Sequence, residues 1–342
     1  MQTTKLGRTD LIVSQTAFGA LPIQRTEMEE AARILRAAFD GGINFFDTAR
    51  AYTDSEAKMG RALAGVRSSI VIATKTTART RSGVIEDIET SLRELRTDHV
   101  DLLQLHNPKV LPDPADPESS YAGLIEAREK GLTRFIGITS HVRERAVAAI
   151  DSGLYDTLQY PMCYISAPED IAVIDLCRKV GVGFIAMKPL AGGLLTRLRP
   201  AFAFFGQYDN AVPIWGVQHM SELVELLAFA ADPPALDDET RAIIERDRVD
   251  LADDFCRACG YCMPCPQGIN IPMASRMNLL LLRMPYEQFL TERWREQMRL
   301  IESCTDCGQC REKCPYGLNP PALLRKSLEF YEAFFDKHAR QD

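Results

Sequence analysis

A chain of 342 residues, 46% hydrophobic and 25% charged, has a globular composition and the length for a barrel plus a small appendage. Its 47 acidic against 40 basic residues, net −7, argue against nucleic acid as the main partner. The longest apolar runs, such as residues 279–282, are far too short to span a bilayer, and the first five residues open no secretory signal; the expectation is a cytoplasmic protein without a membrane partner.

Residues 5–13 read as a hairpin with Gly7-Arg8-Thr9-Asp10 as its turn. Short apolar runs then recur at 15–19, 43–46, 70–74, 100–105, 133–139, 157–160, 182–187 and 212–215. Segments of helical periodicity lie between and after them, at 27–39, 55–64, 83–95, 121–130, 143–151, 168–180, 199–206 and 221–230. Gly131, Gly153 and Gly181 stand where helices stop. Eight alternations at this length predict an α/β fold, a (β/α)8 TIM barrel, with a doubly wound sheet as the alternative. Gly181-Val182-Gly183-Phe184-Ile185-Ala186 matches a loose dinucleotide fingerprint, but it follows a helix and precedes a strand, which reverses the required context.

The second strand ends on Asp47, and Tyr52 follows in the loop that opens the next helix. Lys75 ends the third strand and His106 the fourth. Alone, each has an ordinary reading: a strand stop, a solvated lysine, a packing histidine. Together they fall at the C-terminal ends of consecutive strands, which a barrel brings to one face.

At these residues the chain resembles the aldo-keto reductases. The resemblance is carried by Gly42-Ile43-Asn44-Phe45-Phe46-Asp47-Thr48-Ala49, Tyr52, Glu56-Ala57-Lys58-Met59-Gly60, Ala73-Thr74-Lys75 and Ser91-Leu92-Arg93-Glu94-Leu95 running into Asp101-Leu102-Leu103-Gln104-Leu105-His106. It covers roughly residues 3–231 and implies hydride transfer between a nicotinamide and a small carbonyl or alcohol substrate. Such transfer builds charge on the carbonyl oxygen, so an acid must supply a proton. The resemblance gives Tyr52 that role. It further implies that Lys75 lowers the tyrosine's pKa, that Asp47 holds Lys75 and that His106 polarises the carbonyl.

The same resemblance places the nicotinamide cofactor against Gly19, Ser140, His141, Gln159, Met187, Pro189, Leu190, Gly192, Gly216 and Val217. Three departures stand out. His141 replaces the usual asparagine, Met187 replaces the stacking aromatic, and residues 215–230 lack the basic residue that grips the 2′-phosphate of NADP. NADPH and NADH both remain open.

Eight of the ten cysteines lie between Cys256 and Cys314. The runs are Cys256-x2-Cys259-x2-Cys262-x2-Cys265-Pro and Cys304-x2-Cys307-x2-Cys310-x3-Cys314-Pro. The second matches the bacterial ferredoxin spacing, and two [4Fe–4S] clusters are expected. A zinc ribbon would use separated pairs, and haem attachment would need a following histidine. By resemblance to two-cluster ferredoxins, Cys256, Cys259, Cys262 and Cys314 hold one cluster, and Cys304, Cys307, Cys310 and Cys265 the other. The short gap before Cys265 leaves that exchange open. Arg257, Arg311 and Lys313 either offset the clusters' charge or are ordinary surface. Helices are expected at 238–249, 273–282, 287–301 and 322–335, and buried structural thiols at Cys163 and Cys177.

The expected organisation is a barrel over residues 1–235, a helical linker over 236–252 and a mainly helical iron–sulfur domain over 253–342. Hydride carries two electrons whereas each cluster passes one, so direct coupling needs a flavin or a radical step, and the other outcome is that clusters and barrel act with a redox partner protein. The alternatives are an electron-transfer or redox-sensing protein whose barrel mainly binds, and clusters that only anchor the tail.

Overall fold

The computed structural model describes residues 1–193, 195–251, 256, 262–283, 286–314 and 317–338. By its contacts the chain divides into two compact units, Met1–Arg241 and Ala242–Asp342. The division falls inside the helix Asp238–Leu251.

The first unit begins with an antiparallel hairpin, β1 (Thr3–Lys5) and β2 (Ile12–Ser14). Eight parallel strands then close a barrel: β3 (Ala17–Gly19), β4 (Phe45–Asp47), β5 (Val71–Thr76), β6 (Val100–Leu105), β7 (Thr133–Thr139), β8 (Thr157–Pro161), β9 (Gly183–Met187) and β10 (Ala211–Gly216). β10 pairs with β3, which completes the ring. The helices are α1 (Met28–Asp40), α2 (Ser55–Leu63), α3 (Arg81–Leu95), α4 (Ser120–Glu129), α5 (Arg143–Asp151), α6 (Pro168–Val180), α7 (Leu198–Phe205) and α8 (Met220–Ala231). All eight expected strands and helices are present, and the doubly wound alternative is set aside.

Local chemistry explains the boundaries. α1 buries Ala31, Ile34, Leu35 and Ala38, a single stripe at helical spacing, and stops at Gly41-Gly42. Thr80 caps α3 by accepting a hydrogen bond from the Gly83 amide. α6 starts on Pro168 and ends at Gly181, whose φ of 74° suits glycine.

The barrel interior packs Phe45, Ala73, Leu102, Ile185 and Val212, with Leu6, Leu11 and Val13 of the hairpin belonging to the same cluster. The hairpin turn meets the start of β9, where the Arg8 amide donates to the Gly181 carbonyl at 2.6 Å. Gly7, at φ +57°, lies so close that a Cβ would come within 2.2 Å of the Gly183 nitrogen.

The second unit has its own apolar core. Ile269, Ile271, Met277, Phe289, Met298 and Tyr331 pack together around the long helix Pro320–His338. The Tyr331 hydroxyl donates to the Phe289 carbonyl at 2.7 Å, and Glu332 pairs with Arg295 and Arg299. Two expected helices are each divided. Residues 273–282 are split between Ile271–Ala274 and Met277–Arg283. Residues 287–301 form the 3-10 turn Tyr286–Phe289, the helix Glu292–Arg299 and the turn Leu300–Ser303. Thr291 causes the second break: it is extended and its hydroxyl caps the Trp294 amide. Apolar periodicity runs through such a break, so it is invisible to pattern reading. Among the described residues no helix is long and apolar enough to cross a membrane.

Candidate active site

Asp47, Tyr52, Lys75 and His106 come together at the C-terminal end of the barrel. Lys75 lies inside β5 rather than beyond its end, and its ammonium is 1% exposed. It donates to both carboxylate oxygens of Asp47 at 2.5 Å and to the Thr48 carbonyl at 2.6 Å. The solvated reading of this lysine is therefore wrong. Lys75 Nζ is 5.2 Å from the centre of the Tyr52 ring, and the Tyr52 and His106 rings meet edge to face at 5.8 Å.

The Tyr52 loop is held from several sides. The Thr48 hydroxyl bonds Ser55 Oγ at 2.9 Å, and Ser55 Oγ donates to the Ala20 carbonyl. Buried Glu56 accepts from Thr74 Oγ1 at 2.6 Å and pairs with Arg50, while the Arg50 amide donates to the Lys75 carbonyl at 3.0 Å. Glu56 thus ties the loop to β5, which carries Lys75.

Burial pushes the Asp47 carboxyl up, against the pull of Lys75. It also pushes the Tyr52 phenol up: Lys75 favours the phenolate, but desolvation outweighs it and Asp47 adds to the rise. Lys75 pulls this pKa down as expected, but the net direction is upward because burial outweighs that pull. Burial, followed by the nearby Lys75, lowers His106 to about 4. Its imidazole is neutral at pH 7, and its Nδ1 is buried without a partner among the described residues.

A pH dependence follows. A histidine depressed in the folded state takes up its proton more readily when unfolded. Its contribution is complete above about 6.5, the ordinary value, and is lost as pH falls through about 4. Denaturation at stepped pH will show stability falling across that window, with a shallower slope in His106→Gln; an equal slope refutes this assignment.

Two residues that sequence reading missed support the site. Gln104, one residue before the end of β6, donates to Gln159 Oε1 at 3.0 Å, and Gln159 Nε2 reaches Asp47 Oδ1 at 3.4 Å. Its signal was available: a polar side chain between Leu103 and Leu105 in a fully buried strand. Asn107, at φ +51°, donates its amide to Thr139 Oγ1, and its Oδ1 accepts from the His141 amide, joining the exits of β6 and β7.

The expected cofactor residues lie around the same mouth, at the ends of β3 and β7 to β10 and in the loops after them. Gly19 passes the β10 backbone closely, where a Cβ would meet the Trp215 oxygen at 3.2 Å. Gly216 leaves the backbone exposed beside Pro22. Gly192, at φ +67°, turns the loop that holds Pro189 and Leu190. Val217 and Met187 are buried, and Met187 belongs to the barrel-interior cluster. The Ser140 hydroxyl is engaged by Val142, accepting from its amide and donating to its carbonyl, and is not turned toward the mouth as a free donor. His141 is half-buried beside it.

This donor set fits a nicotinamide dinucleotide in part. The exposed backbone at Gly216 suits its diphosphate, whereas Gly19 is packed on β10 and the Gln159 carboxamide is already bonded to Gln104 and Asp47. The last loop suits a 2′-phosphate poorly. Glu222 accepts from the Gln218 and His219 amides at 2.7 and 3.1 Å, which places a carboxylate on the donors such a phosphate would use. Arg25 comes to this loop from outside it, 3.3 Å from Gln218 Oε1.

In the second unit, one cavity is lined by Cys262, Cys265, Cys304, Cys307 and Cys310. Burial raises the Cys310 thiol, and Cys304 and Cys307 are near enough to raise it further. Five soft sulfur donors around one cavity fit an iron–sulfur cluster. Cys256 and Cys314 are half-buried, while Cys259 and Arg257 lie outside the described residues. No three His, Cys, Asp or Glu among the described residues converge on a single-ion site. Arg311 donates to Asn319 at 2.9 Å. Cys163 and Cys177 are buried thiols in the barrel unit.

The model of the aldo/keto reductase family matches residues 16–238. The chain belongs to the aldo/keto reductase family. A 4Fe-4S dicluster domain matches residues 255–319. The aldo/keto reductase assignment, with its curated dehydrogenase and reductase relatives, makes the chain an NAD(P)-dependent oxidoreductase carrying an iron–sulfur module. It is similar to L-galactose dehydrogenase of Arabidopsis thaliana, 33% identical over 215 residues, covering 57% of this chain and 67% of that one. It is also similar to aldo-keto reductase YhdN of Bacillus subtilis (strain 168), 28% identical over 232 residues, with 60% and 67% covered. A probable voltage-gated potassium channel subunit beta of Arabidopsis thaliana is 29% identical over 222 residues, with 57% and 66% covered. Aldo-keto reductase AKR11C1 from Bacillus halodurans, in its holo form, shares the fold: TM-score 0.64 at 24% identity, covering 72% of this chain and 96% of that one.

Proposed function

We propose that this aldo/keto reductase interconverts a small carbonyl compound and its alcohol with Tyr52 as general acid and base, and that its tail binds two [4Fe–4S] clusters. The observation that carries the first part is the buried Lys75–Asp47 pair at 2.5 Å set 5.2 Å from the Tyr52 ring. A bound nicotinamide supplies or accepts the hydride. Tyr52 delivers the proton to the carbonyl oxygen during reduction and takes it back during oxidation. Lys75 favours the phenolate left behind, so the proton is released more easily than burial alone would allow. Asp47, steadied by Gln159, fixes the ammonium in place. Neutral His106 hydrogen-bonds the substrate oxygen without adding a second full charge beside Lys75.

Glu222 on the last loop supports NADH over NADPH, since its carboxylate repels a 2′-phosphate. The eight-cysteine pattern supports the clusters, divided as Cys256, Cys259, Cys262, Cys314 and Cys304, Cys307, Cys310, Cys265. The five-cysteine cavity supports the second set. The domain reading is a barrel over 1–235, a linker over 236–252 and the cluster module over 253–342. One-electron clusters and two-electron hydride chemistry favour a separate redox partner protein. A thiolate-rich module fits a reducing, cytoplasmic setting.

Anaerobic purification tests both parts. Iron and acid-labile sulfide will each approach eight per chain, as two cubanes require, and titration will give a lower Kd for NADH than for NADPH. Four iron per chain would remove one cluster, and a preference for NADPH would overturn the role given to Glu222.

A further inference from the structure

Gln104 is a fully buried carboxamide on β6. In register it stands beside Lys75 of β5 on one side and Gly137 of β7 on the other. Its side chain crosses β7 to reach β8, where its Nε2 donates to Gln159 Oε1 at 3.0 Å. Gly137 leaves room for that crossing: a Cβ there would come within 3.1 Å of Gln104 Cγ and 2.2 Å of Thr157 Oγ1.

The direction of this hydrogen-bond chain is set at Asp47. Both of its oxygens already accept from Lys75, and a carboxylate only accepts. Gln159 must therefore turn Nε2 toward Asp47 Oδ1, which turns its own Oε1 toward Gln104. Gln104 can answer that oxygen only with its amino group. Its Oε1 is then left over, buried and without a partner among the described residues.

A buried acceptor without a donor is a cost, and a methionine of similar volume would carry no such atom. Stability alone thus gives no reason for an amide at this position. What the amide supplies is the orientation of Gln159. The contact from Gln159 to Asp47 is long, 3.4 Å, so the shorter bond from Gln104 is the one that holds the carboxamide.

We infer that Gln104 is a positioning residue for the barrel's proton-transfer site: it locks the Gln159 carboxamide with its amino group on Asp47, and so steadies the carboxylate that fixes the Lys75 ammonium beside Tyr52. The inference rests on the reading of Tyr52 as acid and base. Gln104 acts through Gln159 and Asp47 and is not itself a catalytic residue.

The test compares the full chain as wild type, Gln104→Met, Gln104→Asn, Gln159→Met, the double variant Gln104→Met/Gln159→Met and Tyr52→Phe, with NADH and a nitrobenzaldehyde as the carbonyl probe. Gln104→Met will lower kcat on the order of ten- to a hundredfold, with KM for the aldehyde and Kd for NADH within about twofold of wild type. Its Tm will stay within about 4 °C of wild type, because it removes one orphan acceptor and leaves another on Gln159. The double variant will match Gln159→Met within about twofold in kcat, as two residues acting through one chain must. Gln104→Asn keeps the amide but falls short of Gln159, so it will behave like Gln104→Met and decides the matter if the methionine variant does not fold. Wild-type kcat in Gln104→Met or Gln104→Asn, losses that multiply in the double variant, or a larger fall in Tm with KM and kcat changing together would overturn the inference. Wild type without reductase activity, or Tyr52→Phe as active as wild type, would instead overturn the reading beneath it.

Discussion

Tyr52→Phe will lower kcat for carbonyl reduction by on the order of a hundred- to ten-thousand-fold, the range that a positioned proton donor supplies. Its ring keeps the edge-to-face contact with His106 and the position above Lys75, so the fold is retained and only the hydroxyl is removed. Cofactor affinity, read by fluorescence titration, will remain near wild type. This separation matters, because a damaged loop would change both. Reductase activity surviving the substitution would refute the acid assignment. The iron–sulfur content of this variant will be unaltered, since the cluster ligands are on a separate unit.

Lys75→Met will cost the protein about 3–5 kcal/mol, because it leaves the Asp47 carboxylate buried without its cation. For a unit of this size each kcal/mol shifts Tm by about 2–4 °C, so a fall of roughly 6–20 °C is expected by calorimetry. Activity will fall as well, since the phenolate of Tyr52 loses its neighbouring charge. Pairing the change with Asp47→Asn separates the two effects. The double variant removes both charges and will recover much of the lost stability while remaining inactive. A single Lys75→Met variant with wild-type Tm would show that the pair is not the buried, desolvated unit described above.

Much of this site was legible without coordinates. Asp47, Lys75 and His106 sit at or beside the ends of apolar runs, and an eight-strand barrel gathers such ends whatever its loops contain. The electrostatic balance was not legible. Lys75 adjoins Tyr52 as expected, yet the phenol is pushed up, because desolvation depends on everything packed around the ring. Glu222 was equally hidden. It reads as one acidic residue at the start of a helix, and only the folded loop puts its carboxylate on the Gln218 and His219 amides. The Gln104–Gln159–Asp47 relay joins residues 55 and 112 positions apart, beyond the reach of local pattern.

Local periodicity, glycine stops and cysteine spacing determined by themselves the eightfold alternation, the barrel and the presence of an iron–sulfur module. Those features are written in neighbouring residues, where hydrogen-bonding period and ligand spacing act over a few positions. Tertiary structure alone decided how far each group is buried and which donors are already taken. The physical reason is that charge and proton affinity respond to surroundings assembled from distant segments. A sequence names the groups, and only their packing sets the dielectric and the partners that decide their chemistry.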